Sequence, residues 1–531
     1  MTGRKRWALL AGVLVLAGAA LAEQRYSVPR MPPDYQQPDT EHAEPRTSTM
    51  EIVDTIVLVA FLGAASFLAL RLRSRWGLLV LTLLALGYFG FYRKGCVCPI
   101  GAIQHVSPVF DVRAEVRPDT AAAEAKGVPV EGIARALRDR VGEFTAAEPG
   151  GEGPAAALSF WVGPESKQTF ARVGMARVPA TEPDQPPVPL GELVTVEMRP
   201  VLRFAHGVPW VVVAFFLLPL VATLLFGRAF CAAVCPLGAI QEAVAVRPVQ
   251  IPEWLGHGLG MLPWAYIATA VLLASTGSAY IICRYDPFVG MFRLSGATIL
   301  LLVGAAFLVA GIFLARPYCR FVCPYGAILR PLSRLSWRKT TITPDKCIHC
   351  RLCEDSCPYG AIRKPNTGGP PRPRSRGKAT LAAMLLLVPL VTAGGAGLGW
   401  LASEPLSRMH PIITQAEAVR AEMTRHGGKV KGDSEPTEAF NKLDIPADML
   451  FAHARAIRTS FDWAAPVAGG ALGLIVGLKL VSLSVRRRQE DYEPDRAICL
   501  SCGRCYASCP VDHVRRQERK QRRQTRKLEA K

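Results

Sequence analysis

Apolar runs of membrane-spanning length recur along this chain, with polar or basic segments between them. A run of about 17–24 apolar residues can cross a hydrocarbon core of about 30 Å as a helix. The runs lie at Ile52–Leu70, Trp76–Tyr92, Val208–Phe226, Pro263–Ile282, Ala297–Ala315, Leu381–Leu401 and Ala464–Val485. The pattern predicts a mainly α-helical, polytopic membrane protein with about seven spans.

The N-terminus has the pattern of a secretory signal peptide. Basic residues at positions 4–6 precede an apolar run, and Ala20-Leu21-Ala22 offers a cleavage site. An uncleaved anchor helix is the alternative, and both interpretations place residue 23 outside. Residues 1–22 are therefore predicted to be a signal peptide, and the proline-rich residues 23–50 a periplasmic linker.

Lysine and arginine residues near the span ends indicate one orientation. They lie between spans one and two, after spans three, five and seven, and before span six. If residue 23 is outside, alternation of the spans puts all these groups on the cytoplasmic side of a bacterial inner membrane. The net charge of +20 therefore fits membrane orientation, and we expect no nucleic-acid partner.

The same topology divides the rest of the chain into segments. It predicts a membrane hairpin with an outer Cys-x-Cys-Pro motif at 51–105, a periplasmic domain at 106–205, a membrane core with two Cys-x3-Cys-Pro motifs at 206–338, one ferredoxin half at 339–378, a span at 379–402, a periplasmic loop at 403–463, a span at 464–485, the second ferredoxin half at 486–514 and a basic tail at 515–531. Residues 159–163 and 193–196 favour strands, so the periplasmic segment at 106–205 could fold as a small domain.

Two cysteine runs share the spacing Cys-x2-Cys-x2-Cys-x3-Cys-Pro of bacterial ferredoxins. A compact loop supplies three thiolates to one cluster, and in two-cluster ferredoxins the fourth serves the other cluster. Zinc is the alternative, but it gives no reason for this spacing to occur twice. The sequence therefore predicts two [4Fe–4S] clusters, one on Cys347, Cys350, Cys353 and Cys509 and the other on Cys499, Cys502, Cys505 and Cys357.

Two predicted spans separate these ferredoxin halves. An even number of crossings returns the chain to the same side, so the halves can dock as one split cytoplasmic module. Crossed ligation then requires spans six and seven to form an adjacent helical hairpin.

Two further motifs end in Cys-Pro at the inner ends of spans three and five. They supply Cys231, Cys235, Cys319 and Cys323, and each continues into Gly-Ala-Ile. The repetition indicates an internal repeat made of a span and a re-entrant turn. The four thiols could form another cluster, a metal site or a thiol pair, and buried structural thiols are the alternative.

A shorter variant of this motif falls on the outer face. It contains Cys96 and Cys98, and Cys283 lies on the same side in the predicted topology. The three thiols could bind a metal, or two of them could form a disulfide in the oxidising periplasm.

The Cys-Pro motifs resemble the polyferredoxin part of the NosR/NirI membrane proteins and of NapH-type quinol-dehydrogenase subunits. The resemblance rests on Phe230–Gln241, Arg316–Pro324 and Asp286–Gly290, and it covers roughly residues 205–360 plus the final cysteine run. It implies an electron-transfer protein of the bacterial inner membrane, linked to anaerobic respiration or to maturation of a periplasmic reductase.

The sequence departs from this family in two ways. NosR-type proteins carry a periplasmic flavin-binding domain ahead of the spans, which has no counterpart here. A Ser295-Gly296-Ala297-Thr298 string matches their flavin-attachment signature, but it opens span five. We interpret it as small-residue helix packing and do not expect covalent FMN. The second departure is the single residue between Cys96 and Cys98, where the family has three.

These observations predict electron transfer between a cytoplasmic or quinone donor and a periplasmic redox protein or flavoprotein. The protein would be an electron carrier or quinol-dehydrogenase-like component, since no catalytic Ser/His/Asp arrangement or phosphate-binding loop is evident. The alternatives are an assembly or regulatory ferredoxin for a metalloenzyme and a subunit of an Rnf-like complex.

Overall fold

The computed structural model describes most of the chain after the predicted linker. The described residues are 47–95, 99–141, 158–162, 176–179, 186–203, 208–246, 249, 251–293, 297–338, 340–342, 347–366, 374–442, 446–485 and 489–529. The predicted signal peptide, the linker before residue 47, Cys96, Cys98, Ser295 and Gly296 lie outside them.

Helices dominate the described residues. The first part of the chain forms α1 (Ser48–Phe67), α2 (Arg75–Ala85), α3 (Pro99–His105), α4 (Thr120–Ala125) and α5 (Val130–Val141), and π-helical turns at Leu68–Leu72 and Leu86–Tyr92 extend α1 and α2. The middle part forms α6 (Trp210–Phe226), α7 (Ala229–Ala233), α8 (Pro236–Ala243), α9 (Glu253–Leu259), α10 (Leu262–Ser275), α11 (Ile281–Tyr285), α12 (Pro287–Arg293), α13 (Thr298–Phe313), α14 (Pro317–Phe321) and α15 (Pro324–Arg334). The last part forms α16 (Leu352–Asp355), α17 (Arg374–Ser407), α18 (Pro411–Arg425), α19 (Glu435–Asn441), α20 (Ala447–Ser484), α21 (Arg504–Ala507) and α22 (Pro510–Glu529).

The described residues also form seven strands, two of ten residues and five of two to four. They are β1 (Val109–Pro118), β2 (Leu158–Trp161), β3 (Arg177–Val178), β4 (Val188–Pro189), β5 (Val194–Arg203), β6 (Ile362–Arg363) and β7 (Glu493–Pro494). β1 is the centre of a three-stranded antiparallel sheet in the order β2-β1-β5. Side chains of Val112, Ala114 and Val116 are buried at every second position of β1, as expected for a strand with one covered face.

Five helical segments of the described chain are long and apolar enough to cross a membrane: Ser48–Leu72, Arg75–Tyr92, Glu253–Ser275, Gly377–Ser407 and Ala447–Ser484. A sixth is present if the bent pair α12 and α13 counts as one span, whereas α6 is a shorter apolar helix. The structure therefore supports a polytopic helical protein, and the number of seven spans stays a prediction.

The fourth predicted span, Pro263–Ile282, is placed too far along the chain. The observed helix begins at Glu253 and ends at Ser275. Gly277 has a positive φ of 69°, a conformation that ends a helix readily because glycine has no Cβ. Ile282 belongs instead to the separate helix α11.

The two ends of the helical bundle carry different structures. At one end, Val112 of β1 shares a hydrophobic core with Leu273 of α10, Val419 of α18 and Phe461 of α20. We call this the sheet end. At the other end, the segments that carry the two ferredoxin runs pair with each other through β6 and β7, and we call it the ferredoxin end.

Helices α17 and α20 form the hairpin that links the two ferredoxin halves. Their contact is lined by glycines: a Cβ added to Gly395 would come within 2.4 Å of the Gly469 carbonyl oxygen. Small residues allow such close backbone approach in membranes, where packing replaces the hydrophobic effect as the force between helices. The adjacent hairpin that crossed ligation requires is thus present.

Gly395→Leu should separate α17 from α20, because its side chain would collide with the backbone of the facing helix. We expect lower thermal stability in detergent and less iron bound per protein. Gly394→Leu is the matched control, because a Cβ at Gly394 meets no atom within 4 Å. Equal stability of the two variants would contradict the glycine-mediated contact.

Candidate functional site

The two ferredoxin halves dock into one small module. β6 of the first half pairs antiparallel with β7 of the second, and the Asp495 N–H donates to the Ala361 carbonyl at 2.6 Å. The Arg363 side chain adds an ion pair, with its Nε 2.9 Å from Asp495 Oδ2. Segments that are far apart in sequence therefore build one site.

The two cysteine loops have the same backbone shape. In the first loop, His349 and Arg351 have positive φ values of 53° and 62°. In the second loop, the equivalent positions Ser501 and Gly503 have values of 57° and 81°. Left-handed residues at these two positions curl each loop, so that its three cysteines converge on one volume.

The first cysteine group is assembled from both halves. Cys353 and Cys509 are buried in one core, with Cys347 packed at its edge. Cys350 is exposed. Burial raises the pKa of Cys353 to about 11, with a further contribution from the nearby thiols of Cys347 and Cys350. The structure thus brings together the four residues predicted for the first cluster.

The second cysteine group is also assembled from both halves. Cys357 of the first half shares a core with Cys499 and Cys502 of the second. Burial raises the pKa of Cys505 well above its usual value, and Cys499, Cys502 and Cys357 are the next causes. Cys505 also borders the first core, so it lies between the groups. This placement supports crossed ligation, which stays a prediction.

The chemistry of the second group suits an anionic cluster. Burial raises the pKa of Cys499 to about 12, so this thiol keeps its proton until a metal takes the proton's place. Backbone N–H groups face the sulfurs: those of Ser501 and Ala361 lie 3.4 Å from the sulfurs of Cys499 and Cys357, respectively. A [4Fe–4S] cluster bound here would supply one-electron redox chemistry.

Glu242 joins the membrane bundle to the ferredoxin module. Its carboxylate lies 2.7 Å from Arg75, 3.1 Å from Arg316 and 2.8 Å from Arg504. The Tyr359 hydroxyl donates to the same carboxylate at 2.7 Å. Arg504 and Tyr359 belong to different ferredoxin halves, while the other two arginines belong to the bundle. One buried carboxylate therefore holds three parts of the protein together.

The charges around Glu242 are unbalanced. Burial opposes its ionisation, but the charges of Arg316 and Arg504 and a hydrogen bond from Arg75 outweigh it and hold its pKa below the usual range. Three positive groups then face one negative group. The excess positive charge lies beside Cys502, whose pKa is raised by burial and by Glu242 against the opposing effect of Arg75, and it would compensate a cluster held by thiolates.

The two Cys-x3-Cys-Pro motifs lie at the ferredoxin end and pack against one another. Gln241 of the first motif donates from Nε2 to the Cys319 sulfur of the second at 3.3 Å. Cys231 packs at the edge of the core that contains Cys357, Cys499 and Cys502. Cys235 and Cys323 are buried. The motifs therefore bring membrane-bundle thiols up to the second cysteine group.

Two arginines show that these motifs are structural repeats. Arg228 and Arg316 each lie three residues before the first cysteine of their motif. Arg316, of the second motif, lies against Gly238 of the first: a Cβ added there would be 3.0 Å from its Nη1. Arg228, of the first motif, lies against the equivalent Gly326 of the second, where an added Cβ would be 3.6 Å from its Nη2. Each guanidinium thus crosses into the other repeat, and the approach is tight at Gly238.

Cys283 belongs to neither ferredoxin cysteine group. It is exposed in α11, and its sulfur is 3.0 Å from where a Cβ on Gly101 of α3 would be. Leu273, in the helix before α11, belongs to the core at the sheet end. Cys96 and Cys98 lie outside the described residues, so the three-thiol outer site stays a prediction.

The importance of Glu242, Arg228, Arg316 and Gln241 was not predicted from the sequence. The arginines could have been found from the spacing, because each stands at the same distance from its Cys-Pro motif. Glu242 offered no such signal, since Arg330 occupies its place in the second repeat.

Comparisons with known proteins agree with the site. Residues 208–260 and 295–343 match a family model described as a 4Fe-4S binding domain, and residues 340–363 match a second model with the same description. No solved structure matches the chain.

Several curated proteins are similar to about a quarter of the chain. NirI of Paracoccus denitrificans is 33% identical over 146 residues, which is 25% of this chain and 21% of NirI. The regulatory protein NosR of Stutzerimonas stutzeri is 34% identical over 148 residues, 24% of this chain and 20% of NosR. YccM of Escherichia coli K12, whose name refers to electron transport, is 28% identical over 151 residues, 25% of this chain and 42% of YccM.

The chain spans less than half the length of these three relatives. Within that part, the resemblance to the NosR/NirI-type proteins is confirmed, together with their 4Fe-4S character.

Paired substitutions can test crossed ligation. If Cys357 and Cys499 serve the same cluster, the variant with both changed to serine should lose about four irons and keep the other cluster. Changing Cys353 and Cys357 together should remove both clusters. Iron and sulfide analysis with electron paramagnetic resonance measures the difference, and the reverse pattern would show that each run holds its own cluster.

Glu242→Gln should destabilise the attachment of the ferredoxin module, because it leaves three arginines near each other without a buried counter-charge. Breaking a buried ion pair costs about 3–5 kcal/mol. We expect faster tryptic release of the module and a lower unfolding temperature. Glu404→Gln is the control, since Glu404 is exposed and pairs locally, with Arg408 just after the end of α17. If E242Q behaves like E404Q, the Glu242 network is not needed for attachment.

Proposed function

We propose that this protein passes electrons across the membrane, between a cytoplasmic or quinone donor and a periplasmic acceptor. The observation that carries the proposal is the packing of Cys231 against the core that contains Cys357. Cys499 and Cys502 pack against the same core, so a thiol of the membrane bundle borders the second cysteine group. A soluble ferredoxin has no need for such a contact with a membrane domain.

The described residues suggest how the chain arranges the donor side. Cys350 is exposed, whereas Cys353 and Cys509 are buried, so the first group is open at one side of the module. The second group lies nearer the bundle, because its neighbours include Ala315 and Cys231. This order suits entry at the first group and transfer to the second.

Basic residues support the proposed orientation. Arg73, in the short turn between α1 and α2, donates to the Ile342 carbonyl at 2.6 Å and pairs with Asp512 at 3.2 Å. The ferredoxin end therefore carries one of the arginine groups that favour the cytoplasm. We propose that the ferredoxin module is cytoplasmic in a bacterial inner membrane and that the sheet end is periplasmic.

A second candidate is an assembly or regulatory ferredoxin that supplies electrons for maturation of a metalloenzyme. The relative NosR is named a regulatory protein, which favours this candidate. A relay would turn over many times with soluble reductant and acceptor. An assembly factor would show slow, stoichiometric transfer.

Transfer can be measured in vesicles that contain the full-length protein and enclose an electron acceptor. A membrane-impermeant reductant added outside should reduce the enclosed acceptor through molecules whose ferredoxin module faces outward. Cys357→Ser should abolish this transfer, and vesicles without protein give the background. Many turnovers per protein support the relay, whereas one turnover would favour the assembly factor. Zinc in place of iron in the purified protein would reject both.

A further inference from the structure

We propose that the membrane bundle carries one cysteine half-site twice, in opposite orientations, and that Cys283 at the sheet end is the counterpart of Cys319 at the ferredoxin end. Gln104 is the positioning residue for Cys283, as Gln241 is for Cys319. The role of Cys283 in electron transfer rests on the function proposed above.

Two short sequence patterns recur at the two ends. Pro99-Ile-Gly-Ala-Ile-Gln104 corresponds to Pro236-Leu-Gly-Ala-Ile-Gln241, and in both the proline begins a short helix, α3 or α8. Cys283-Arg284-Tyr285 corresponds to Cys319-Arg320-Phe321, and in both the cysteine lies within a five-residue helix, α11 or α14. Each half-site therefore pairs one glutamine helix with one cysteine helix.

The glutamines make the same backbone contact. Gln241 Oε1 accepts from the N–H of Tyr318, the residue before Cys319, at 3.1 Å. Gln104 Oε1 accepts from the N–H of Ile282, the residue before Cys283, at 3.0 Å. Both glutamine side chains are fully buried. In both places a glutamine Oε1 accepts from the backbone N–H of the residue just before the cysteine, which indicates that the two half-sites share one local structure.

The amide nitrogens differ in one respect that points to a ligand. Nε2 of Gln241 donates to the Cys319 sulfur at 3.3 Å. Nε2 of Gln104 is buried and has no hydrogen-bond partner within the described residues. Since its Oε1 already holds the peptide next to Cys283, this orphaned donor lies beside the Cys283 half-site. A buried donor without a partner is costly, so a sulfur or a bound acceptor should satisfy it.

The helix that follows each cysteine is capped in an equivalent way. Cys323 caps α15 through its sulfur, which accepts from the Gly326 N–H at 3.3 Å. Asp286 caps α12 through Oδ1, which accepts from the Phe288 N–H at 2.8 Å. A proline follows both capping residues. Asp286 thus occupies the capping position that the second cysteine, Cys323, holds at the ferredoxin end, although it lies three residues after Cys283 and Cys323 lies four residues after Cys319.

The spans that lead into the two half-sites run in opposite directions. Helix α2 starts at the ferredoxin end, where Arg75 donates to the Cys502 carbonyl, and α3 follows its far end. Helix α6 starts after β5 of the sheet and leads to Cys231 at the ferredoxin end. Antiparallel units with the same local structure are inverted repeats, which in membrane proteins commonly form sites accessible from opposite sides.

An exposed thiol next to a peptide that a buried amide holds suits contact with an electron acceptor outside the ferredoxin module. Cys283 is exposed at the sheet end, next to a stacked pair formed by His105 and Tyr280 with ring centres 5.3 Å apart. Because Asp286 replaces the second cysteine, this half-site offers fewer sulfurs than the ferredoxin-end site. We therefore expect it to hold no further [4Fe–4S] cluster and to contact the periplasmic acceptor, which takes one electron from a reduced cluster while the Cys283 sulfur keeps its oxidation state.

Labelling from either face tests the inverted arrangement without depending on electron transfer. In vesicles with the full-length Val514→Cys variant, a membrane-impermeant maleimide should modify position 514, which is exposed just after the second ferredoxin run, in molecules of one orientation and Cys283 in molecules of the other. Limited proteolysis of the exposed ferredoxin module sorts the two populations, and mass spectrometry identifies the modified peptides. Modification of both cysteines in the same molecules, from the same face, would overturn the proposal.

The role of the half-site is tested by the rate at which ferricyanide, present only on the sheet-end face, reoxidises reduced clusters. Cys283→Ser and Gln104→Leu should each slow reoxidation by about tenfold, the size expected when a residue that orients a redox ligand is lost, with unchanged cluster spectra. Gln415→Leu is the control, because Gln415 donates to the Pro436 carbonyl at 3.2 Å elsewhere at this end. A wild-type rate in C283S would reject the role of Cys283. Absence of reoxidation in the wild-type protein would instead reject the proposed relay.

Discussion

The Glu242 carboxylate is the interaction on which the arrangement of the other parts depends. It is 7% exposed, and its partners come from α2, from the turn before α14 and from both ferredoxin halves. A buried charge of this kind is stable only when several donors satisfy it together. Docking of the ferredoxin module therefore completes the burial of a group that belongs to the membrane bundle. This constraint couples the position of the second cysteine group to the position of the helices.

The glycine contact between α17 and α20 also positions the ferredoxin module, because it brings the two halves together. Crossed ligation needs Cys357 and Cys509 to reach across the module, although a long hairpin separates them in the chain. Close approach at Gly395 and Gly469 keeps the two helices adjacent, so their ends deliver the halves to the same place. The short β6–β7 pairing then fixes their register. Neither contact would suffice alone, because the strands are only two residues long.

The proposed inverted half-sites place related cysteine sites at the two ends of the bundle. The crossed arginines Arg228 and Arg316 bring two Cys-Pro motifs together at the ferredoxin end, and Gln104 with Cys283 repeats part of that structure at the sheet end. Such a bundle would connect two faces of a membrane with matched sites. The substitution of Asp286 for a cysteine marks the difference between the two ends, since a carboxylate caps the helix but is a harder ligand than a thiolate.

Much of the fold could be predicted because local patterns determine it. Apolar run lengths located the long apolar helices, and the error at Pro263–Ile282 arose because hydropathy alone does not register the left-handed turn at Gly277. The cysteine spacing predicted which thiols would converge, because each loop closes over a few residues. The strands of the three-stranded sheet were only partly anticipated, since β1 pairs with β5 across a long stretch of intervening chain.

By itself, the sequence determined the helical membrane character, the two ferredoxin runs and the likeness to the NosR/NirI-type proteins. Those features depend on spacing within a few residues or on the length of one run. Only the tertiary structure decided that Cys231 lies beside the second cysteine group, that Glu242 collects three arginines, and that Gln104 and Gln241 occupy equivalent places. Each of these is a contact between residues distant in the chain, and the partner of a buried charge or amide depends on how the helices pack.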